Sequence, residues 1–285
     1  MEWTASAAFG MEGMTGRDLK HMGMKNVRVM DVGGASFEGG FEDAFRANLW
    51  LRTCDRIMLV MARFEARSYE ALFQGVKAID WQGLLPADAA FPIRARCVKS
   101  QLMSPSDVQK IAKRAMVEKL KAADGADWFS ETGATFQVDI AIRNDVVTVA
   151  VDASGEPLSK RGYRTWNGEA PLRETLAAAL VLQSGWHPWQ PLHDPCCGTG
   201  TILIEAAFIA LNRAPGLTRK FAMEAWPCVP HAALDAIRAE ARKKFGEGSR
   251  RPLIVSGSDI NPEAIELATR HVRQAGLAGR IALSV

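Results

Sequence analysis

The run Asp194-Pro195-Cys196-Cys197-Gly198-Thr199-Gly200-Thr201 puts an acidic residue, two glycines and a hydroxyl close together. The short stretch from Pro191 to Asp194 leads into it, and a helix-forming run from Thr201 to Asn212 leaves it. A strand–loop–helix turn of this kind can hold a ligand. Glycines let the backbone turn tightly and approach closely, and the helix start offers unpaired N–H groups. Leu203 stands where a dinucleotide fingerprint needs its third glycine, and no Gly-Lys-Ser/Thr follows, so neither an NAD loop nor an ATPase loop is indicated. The alternative is an ordinary glycine-rich turn. The preceding Asp-Pro and the following Thr-Ile-Leu-Ile-Glu count against it.

Gly257-Ser258-Asp259-Ile260-Asn261-Pro262 is the second constellation. An acidic residue at the end of the second strand is where a doubly wound fold holds a ribose by its hydroxyls. Asp259 fits that role, or it only helps cap the helix that Asn261 starts. Gly200 and Asp259 are 59 positions apart, whereas a dinucleotide site expects about 20. An inserted helix, Ala232 to Phe245, accounts for the excess. The Cys196-Cys197 pair reads as loop packing, and Trp186, His187 and Trp189 read as core.

Basic residues gather elsewhere. Lys110, Lys113, Arg114 and Lys121 lie on one helix, with Lys99 upstream, and could track a phosphate backbone or form a solvated face. Arg161, Tyr163, Arg164 and Trp166 mix charge with aromatics, which suits base stacking or a domain junction.

The composition sets bounds on these readings. The 285 residues suit two or three domains, and 48% hydrophobic with 24% charged residues suits a packed core. A net charge of +3 permits a nucleic-acid partner without requiring one. Five cysteines without a C-x-x-C pair suit a reducing compartment, and no apolar run is long enough for a membrane span. A cytoplasmic protein without a membrane partner is expected.

The elements that must position these residues follow from periodicity and turn chemistry. Helices are expected at Met11–Met22, Phe41–Leu51, Tyr69–Ile79, Ser104–Ala123, Pro171–Leu182, Thr201–Asn212 and Ala232–Phe245, and from Asn261 to Gly276. Strands are expected at Asn26–Val32, Arg56–Phe64, Pro92–Val98, Phe136–Ile142, Val146–Val151, Leu253–Ser258 and Arg280–Val285. Glu2–Phe9 is the only candidate for a first strand. An order β, α, β, β, α, β in the first 65 residues would be a ferredoxin-like split unit.

The glycine loop with its extension to Ala207 (D-P-C-C-G-T-G-T-I-L-I-E-A-A), together with Leu158–Leu180, Arg46–Ile57 and Val98–Leu102, resembles the THUMP-domain RNA methyltransferases, which act on guanine N2. The likeness covers essentially the whole chain and is nearest to bacterial enzymes modifying large-subunit ribosomal RNA. It implies an α/β fold: a ferredoxin-like domain (1–65), a THUMP RNA-binding domain (66–157) and the first half of a Rossmann-like methyltransferase sheet (158–285). It implies S-adenosylmethionine as cofactor. Asp194, Pro195, Cys197, Gly198, Gly200 and Thr201 would line it, Asp259 would hold its ribose, Ile260 would pack on its adenine, and Pro171 and Leu172 would sit near its amino-acid end. RNA, ribosomal RNA above all, would meet Lys99, Lys110, Lys113, Arg114, Arg161 and Arg164.

The sequence departs from the family in one respect. Members carry an N-P-P-Y-type motif after the fourth strand, and no Asn-Pro-Pro occurs in these 285 residues. The expectation is therefore a fragment of a longer enzyme, inactive alone, whose first methyltransferase strand is an exposed sheet edge. Rival readings are a non-catalytic RNA-binding THUMP protein, a tRNA guanine-N2 or DNA adenine-N6 methyltransferase and, more distantly, an NAD-dependent oxidoreductase.

Overall fold

The computed structural model describes residues 1–31, 33–124, 131–164 and 172–285, leaving out the side chains of residues 122–124. Strand β1 (Glu2–Ala7), helix α1 (Glu12–His21), strands β2 (Lys25–Val29) and β3 (Gly34–Glu38), helix α2 (Phe41–Trp50) and strand β4 (Cys54–Glu65) form the first unit. Its strands run β2-β3-β1-β4, all antiparallel to their neighbours. Period-two alternation sets the faces: Trp3 and Ala5 are fully buried while Glu2, Thr4 and Ser6 are not. Strand β3 begins at Gly34 and is followed by Gly39-Gly40. Gly34 is required there, because at φ +132° a Cβ would fall 1.9 Å from the Ala5 carbonyl oxygen.

Helix α3 (Tyr69–Lys77), strand β5 (Ile93–Val98), helix α4 (Pro105–Asp124) and strands β6 (Val138–Arg143) and β7 (Val146–Asp152) follow. Ser104 Oγ accepts from the Asp107 amide at 3.4 Å, the cap that Ser-Pro-Ser-Asp announces. Val108, Ala112, Ala115 and Leu120 are buried along α4 at helical spacing. Asn144 and Asp145 turn the β6–β7 hairpin at φ 51° and 64°, left-handed values that Asn and Asp tolerate best after glycine. These strands extend the first sheet into one of seven, β2-β3-β1-β4-β7-β6-β5, because β4 pairs with β1 on one side and β7 on the other.

The last part contains helix α5 (Glu174–Gln183), strand β8 (Leu192–Asp194), helices α6 (Thr201–Ala210) and α7 (His231–Gly248), strand β9 (Val255–Ser258), helix α8 (Pro262–Gln274) and strand β10 (Ala282–Ser284). Its three strands are parallel, in the order β10-β9-β8. Helix α6 is apolar almost all round and buried, with Leu203, Ile204, Ala207 and Phe208 in a core shared with Val255 and Val272. The α/β architecture is the one the sequence implied. Among the described residues no helix is long and apolar enough to cross a membrane.

The long spacing between the two candidate ligand motifs has a structural cause. Residues from Ala214 to Ala241 leave the small sheet and pack into the core of the seven-stranded unit. Trp226, fully buried, stacks on Phe136 with ring centroids 5.4 Å apart and meets Phe41 edge-on at 6.4 Å. Phe221 meets Phe45 edge-on at 5.6 Å. The insertion thus joins the units.

Candidate cofactor site

Strand β8 delivers Asp194 to the C-terminal edge of the small sheet, and its Oδ1 accepts from the Cys196 amide at 3.1 Å. The loop then turns through two left-handed glycines, Gly198 at φ 52° and Gly200 at φ 79°. They have different surroundings. A Cβ on Gly200 would meet Ala268 of α8 at 3.3 Å, so this glycine permits close packing, whereas a Cβ on Gly198 would enter open space. The Cys197 amide donates to the Ser258 carbonyl at 2.9 Å, and the Gly198 amide donates to Asp259 Oδ2 at 2.8 Å. Gly257 lets the two strand ends touch: a Cβ there would lie 2.4 Å from Leu203 Cδ1 and 3.0 Å from Cys197 Cβ.

Asp259 holds two amides, since its Oδ1 also accepts from Asn261 at 3.0 Å. These bonds, Asn261 first and Gly198 second, lower its carboxyl pKa below the ordinary 3.8. Capping of α8 belongs to Asn261, whose Oδ1 accepts from Glu263 at 2.9 Å. Asp259 therefore both orders the glycine loop and keeps lone pairs toward solvent. Next to it, Ile260 is 94% exposed, an apolar side chain with nothing on it. Two carboxylates, an open backbone turn and a bare apolar platform suit a ligand that carries hydroxyls and a flat ring, such as a nucleoside. The residues present thus fit S-adenosylmethionine.

Several expectations need correction. Cys197 is 7% exposed and its side chain packs beneath the loop, where burial pushes its thiol up to about 11, so only its backbone can face a ligand. Thr201 is 5% exposed, and its hydroxyl accepts from Arg164 at 2.7 Å rather than facing the open side. Pro195 is exposed at the turn. Leu172 is brought to the start of α6, its carbonyl accepting from Arg164 at 2.8 Å. Pro171 and Trp166 lie outside the described residues. Among the residues before the loop, Trp186 packs on the core, but Trp189 is 73% exposed and stacks on the exposed His187 at 4.4 Å.

The candidate RNA residues divide. Arg161 is 3% exposed; its Nη1 and Nη2 donate to the carbonyls of Leu158 and Arg52 at 2.6 Å, and its Nε lies 3.5 Å from Glu205. Arg164 spends its donors on Leu172 and Thr201 and lies 3.5 Å from Glu174. Both pack at the junction, contrary to the expectation of RNA contacts, because burial removes their guanidinium groups from any solvent-borne phosphate. Lys113 pairs with Glu131 at 2.6 Å and sits 3.7 Å from the Phe91 ring centroid, and Arg114 pairs with Glu118 at 2.8 Å. Lys99 and Lys110 are exposed without an ion pair among the described residues. Sequence reading missed Arg94, Arg96 and Arg143. All three are exposed on strands β5 and β6, again without an ion pair among the described residues, and Arg143 lies opposite Val98 in register. The signal was present: Arg94 and Arg96 alternate with Ile93, Ala95 and Cys97, so they share a face.

The three units of the chain recur in known proteins. Residues 2–58 match the model of an RlmL ferredoxin-like domain, 66–152 a THUMP domain, and 161–285 an RMKL-like methyltransferase domain. "Putative RNA methyltransferase YpsC" of Bacillus subtilis (strain 168) is 41% identical over 279 residues, spanning 97% of this chain and 71% of that protein. A crystal structure from Listeria monocytogenes str. 4b F2365, named "a predicted N6-adenine-specific DNA methylase", superposes with TM-score 0.95 at 40% identity over 99% of this chain and 74% of that one. The structure of "SMU.472, a putative methyltransferase complexed with SAH" does so with TM-score 0.93 at 39% identity, over 99% and 74%. Domain order, fold and identity agree across the chain: it belongs to the RlmL-like family of THUMP-domain methyltransferases.

Proposed function

We propose that this chain holds S-adenosylmethionine on the Asp194–Thr201 loop and presents it to RNA gripped by the THUMP unit, with guanine N2 of large-subunit ribosomal RNA as the acceptor. The observation that carries the cofactor reading is the Gly198–Asp259 hydrogen bond at 2.8 Å, flanked by Ile260 and by open space over Gly198. The bound cofactor supplies an electrophilic methyl group. Asp259 accepts ribose hydroxyls with its remaining lone pairs, Ile260 covers one face of the adenine, and Asp194, Gly198 and Gly200 line the rest. Pro195 and Leu172 flank that path. Orientation is the protein's contribution: an acceptor amine placed in line with the methyl gains most of its rate from position. The base must leave its stack to reach that place.

The RNA side of the reading rests on the exposed cations around edge strand β5. Arg94, Arg96 and Arg143 lie on the strands, Lys99 directly follows β5, and Lys110 lies on α4, which packs beside β5. Calorimetric titration with S-adenosylhomocysteine and, separately, with NAD tests the cofactor. Saturable binding of the first alone is expected, and binding of NAD alone overturns the reading. Filter binding to large-subunit ribosomal RNA, transfer RNA and duplex DNA tests the partner. The ribosomal RNA should bind tightest, and each cation replaced by Ala should lower the salt slope by about 0.7–0.9. Preference for duplex DNA would favour the adenine-N6 alternative.

A further inference from the structure

Helix α6 is held along its length by arginines from outside the small sheet. At its first residue, Thr201 Oγ1 accepts from Arg164 Nη2 at 2.7 Å. One turn later the fully buried Glu205 accepts from the Tyr163 hydroxyl at 3.1 Å and faces Arg161. At its far end Arg52 Nη2 donates to the Phe208 and Arg213 carbonyls at 3.3 and 2.8 Å. Arg164 is unusual in this set. The same Nη2 also donates to the Leu172 carbonyl at 2.8 Å, while its Nη1 lies 3.5 Å from Glu174, the first residue of α5. Its side chain is 11% exposed, and its Nε is buried without a partner among the described residues. One guanidinium therefore ties the end of the glycine loop to the chain entering α5. A planar, always-charged fork can do this, whereas the point charge of lysine cannot reach the same acceptors in the same geometry.

We propose that Arg164 is a positioning residue for the cofactor: by holding Thr201 Oγ1 and the Leu172 carbonyl on one nitrogen, it sets the gap between the glycine loop and the segment entering α5. This rests on the reading that the loop holds S-adenosylmethionine. Replacing Arg164 lets the two segments separate, and the loop then has to be ordered when the ligand binds, which weakens binding without removing any direct contact.

The test uses Arg164→Met, Arg164→Lys, Thr201→Val and the Arg164→Met/Thr201→Val double variant. S-adenosylhomocysteine affinity is measured by calorimetry well below each melting temperature, with RNA affinity as a control. Arg164→Met should weaken S-adenosylhomocysteine binding about tenfold and Arg164→Lys by less. Thr201→Val should weaken it severalfold, and the double variant should be no worse than Arg164→Met, because both remove one coupled interaction. RNA affinity should not change. Unchanged ligand affinity with a lowered melting temperature would mean a purely structural residue and overturn the proposal, as would additive losses. If Arg164→Met does not fold, Thr201→Val alone decides, and unchanged affinity there overturns it. A wild-type chain that does not bind S-adenosylhomocysteine refutes the cofactor reading, whereas a wild type that binds and variants that bind equally well refute only this inference.

Discussion

The backbone amide of Gly198 donates to Asp259 Oδ2 at 2.8 Å, so one carboxylate closes the glycine loop from the neighbouring strand end. Replacing Asp259 with Ala leaves the Gly198 and Asn261 amides without their acceptor. Both lie at the surface, where water can take over, so the melting temperature should fall only slightly. Affinity for S-adenosylhomocysteine should fall by about ten- to a hundredfold, since hydrogen bonds to a charged acceptor are stronger than those between neutral groups. Calorimetry beside a thermal melt separates the two effects.

The same bonds give a pH dependence. Asp259 has a lowered folded-state pKa, so its contribution is fully present above the ordinary 3.8 and is lost as pH falls through the lower folded value. Loop order, followed by the ligand affinity of folded protein, should therefore be flat with respect to this group at neutral and mildly acid pH. It should drop only below 3.8. A midpoint near neutrality would point to a different group.

Ile260, at 94% exposure, contributes almost nothing to the fold. Ile260→Ala should leave chemical denaturation unchanged and weaken nucleoside binding about tenfold, the loss expected when one apolar contact of roughly 1–2 kcal/mol is removed. Equal affinity would place the adenine elsewhere.

The cysteines should separate by reactivity. Cys196 and Cys228 are exposed, whereas Cys197 is buried and its thiol is raised to about 11. Iodoacetamide at neutral pH, followed by peptide mass spectrometry, should label Cys196 well ahead of its neighbour. Fast labelling of Cys197 would mean that the loop opens.

Trp226→Ala removes a buried ring that touches Phe136 and Phe41. A cost of about 3–5 kcal/mol is expected from large-to-small core replacement. Because Trp226 comes from the insertion and its partners from the first units, urea unfolding should change from one transition to two. A single transition, merely shifted, would show that the buried arginines suffice to hold the units together.

Most elements could be read from the sequence because their signals are local. Ser104-Pro105 announced α4 and Asn261-Pro262 announced α8, whereas β1 had only Glu2–Phe9 as a candidate. The glycine loop was legible for the same reason, since a tight turn before a helix needs particular residues within a short span. What could not be read depends on tertiary context. Arg161 and Arg164 look like surface cations in a linear string. Only their contacts with Glu205 and Thr201 show that they face inward. The exposure of Trp189 was missed because an aromatic beside a strand usually packs into the core. That residues 214–241 serve the other unit's core could not be deduced, because nothing in a helix's own pattern names the surface it will cover.

The insertion from Ala214 to Ala241 has one more consequence. It stacks Trp226 into the seven-stranded unit, while the arginines at 52 and 161 lock α6 from the same direction. On the function proposed above, the exposed cations of β5 and β6 and the glycine loop belong to units that this insertion joins, so an RNA would be selected by the span between the feature it offers to the one and the base it offers to the other.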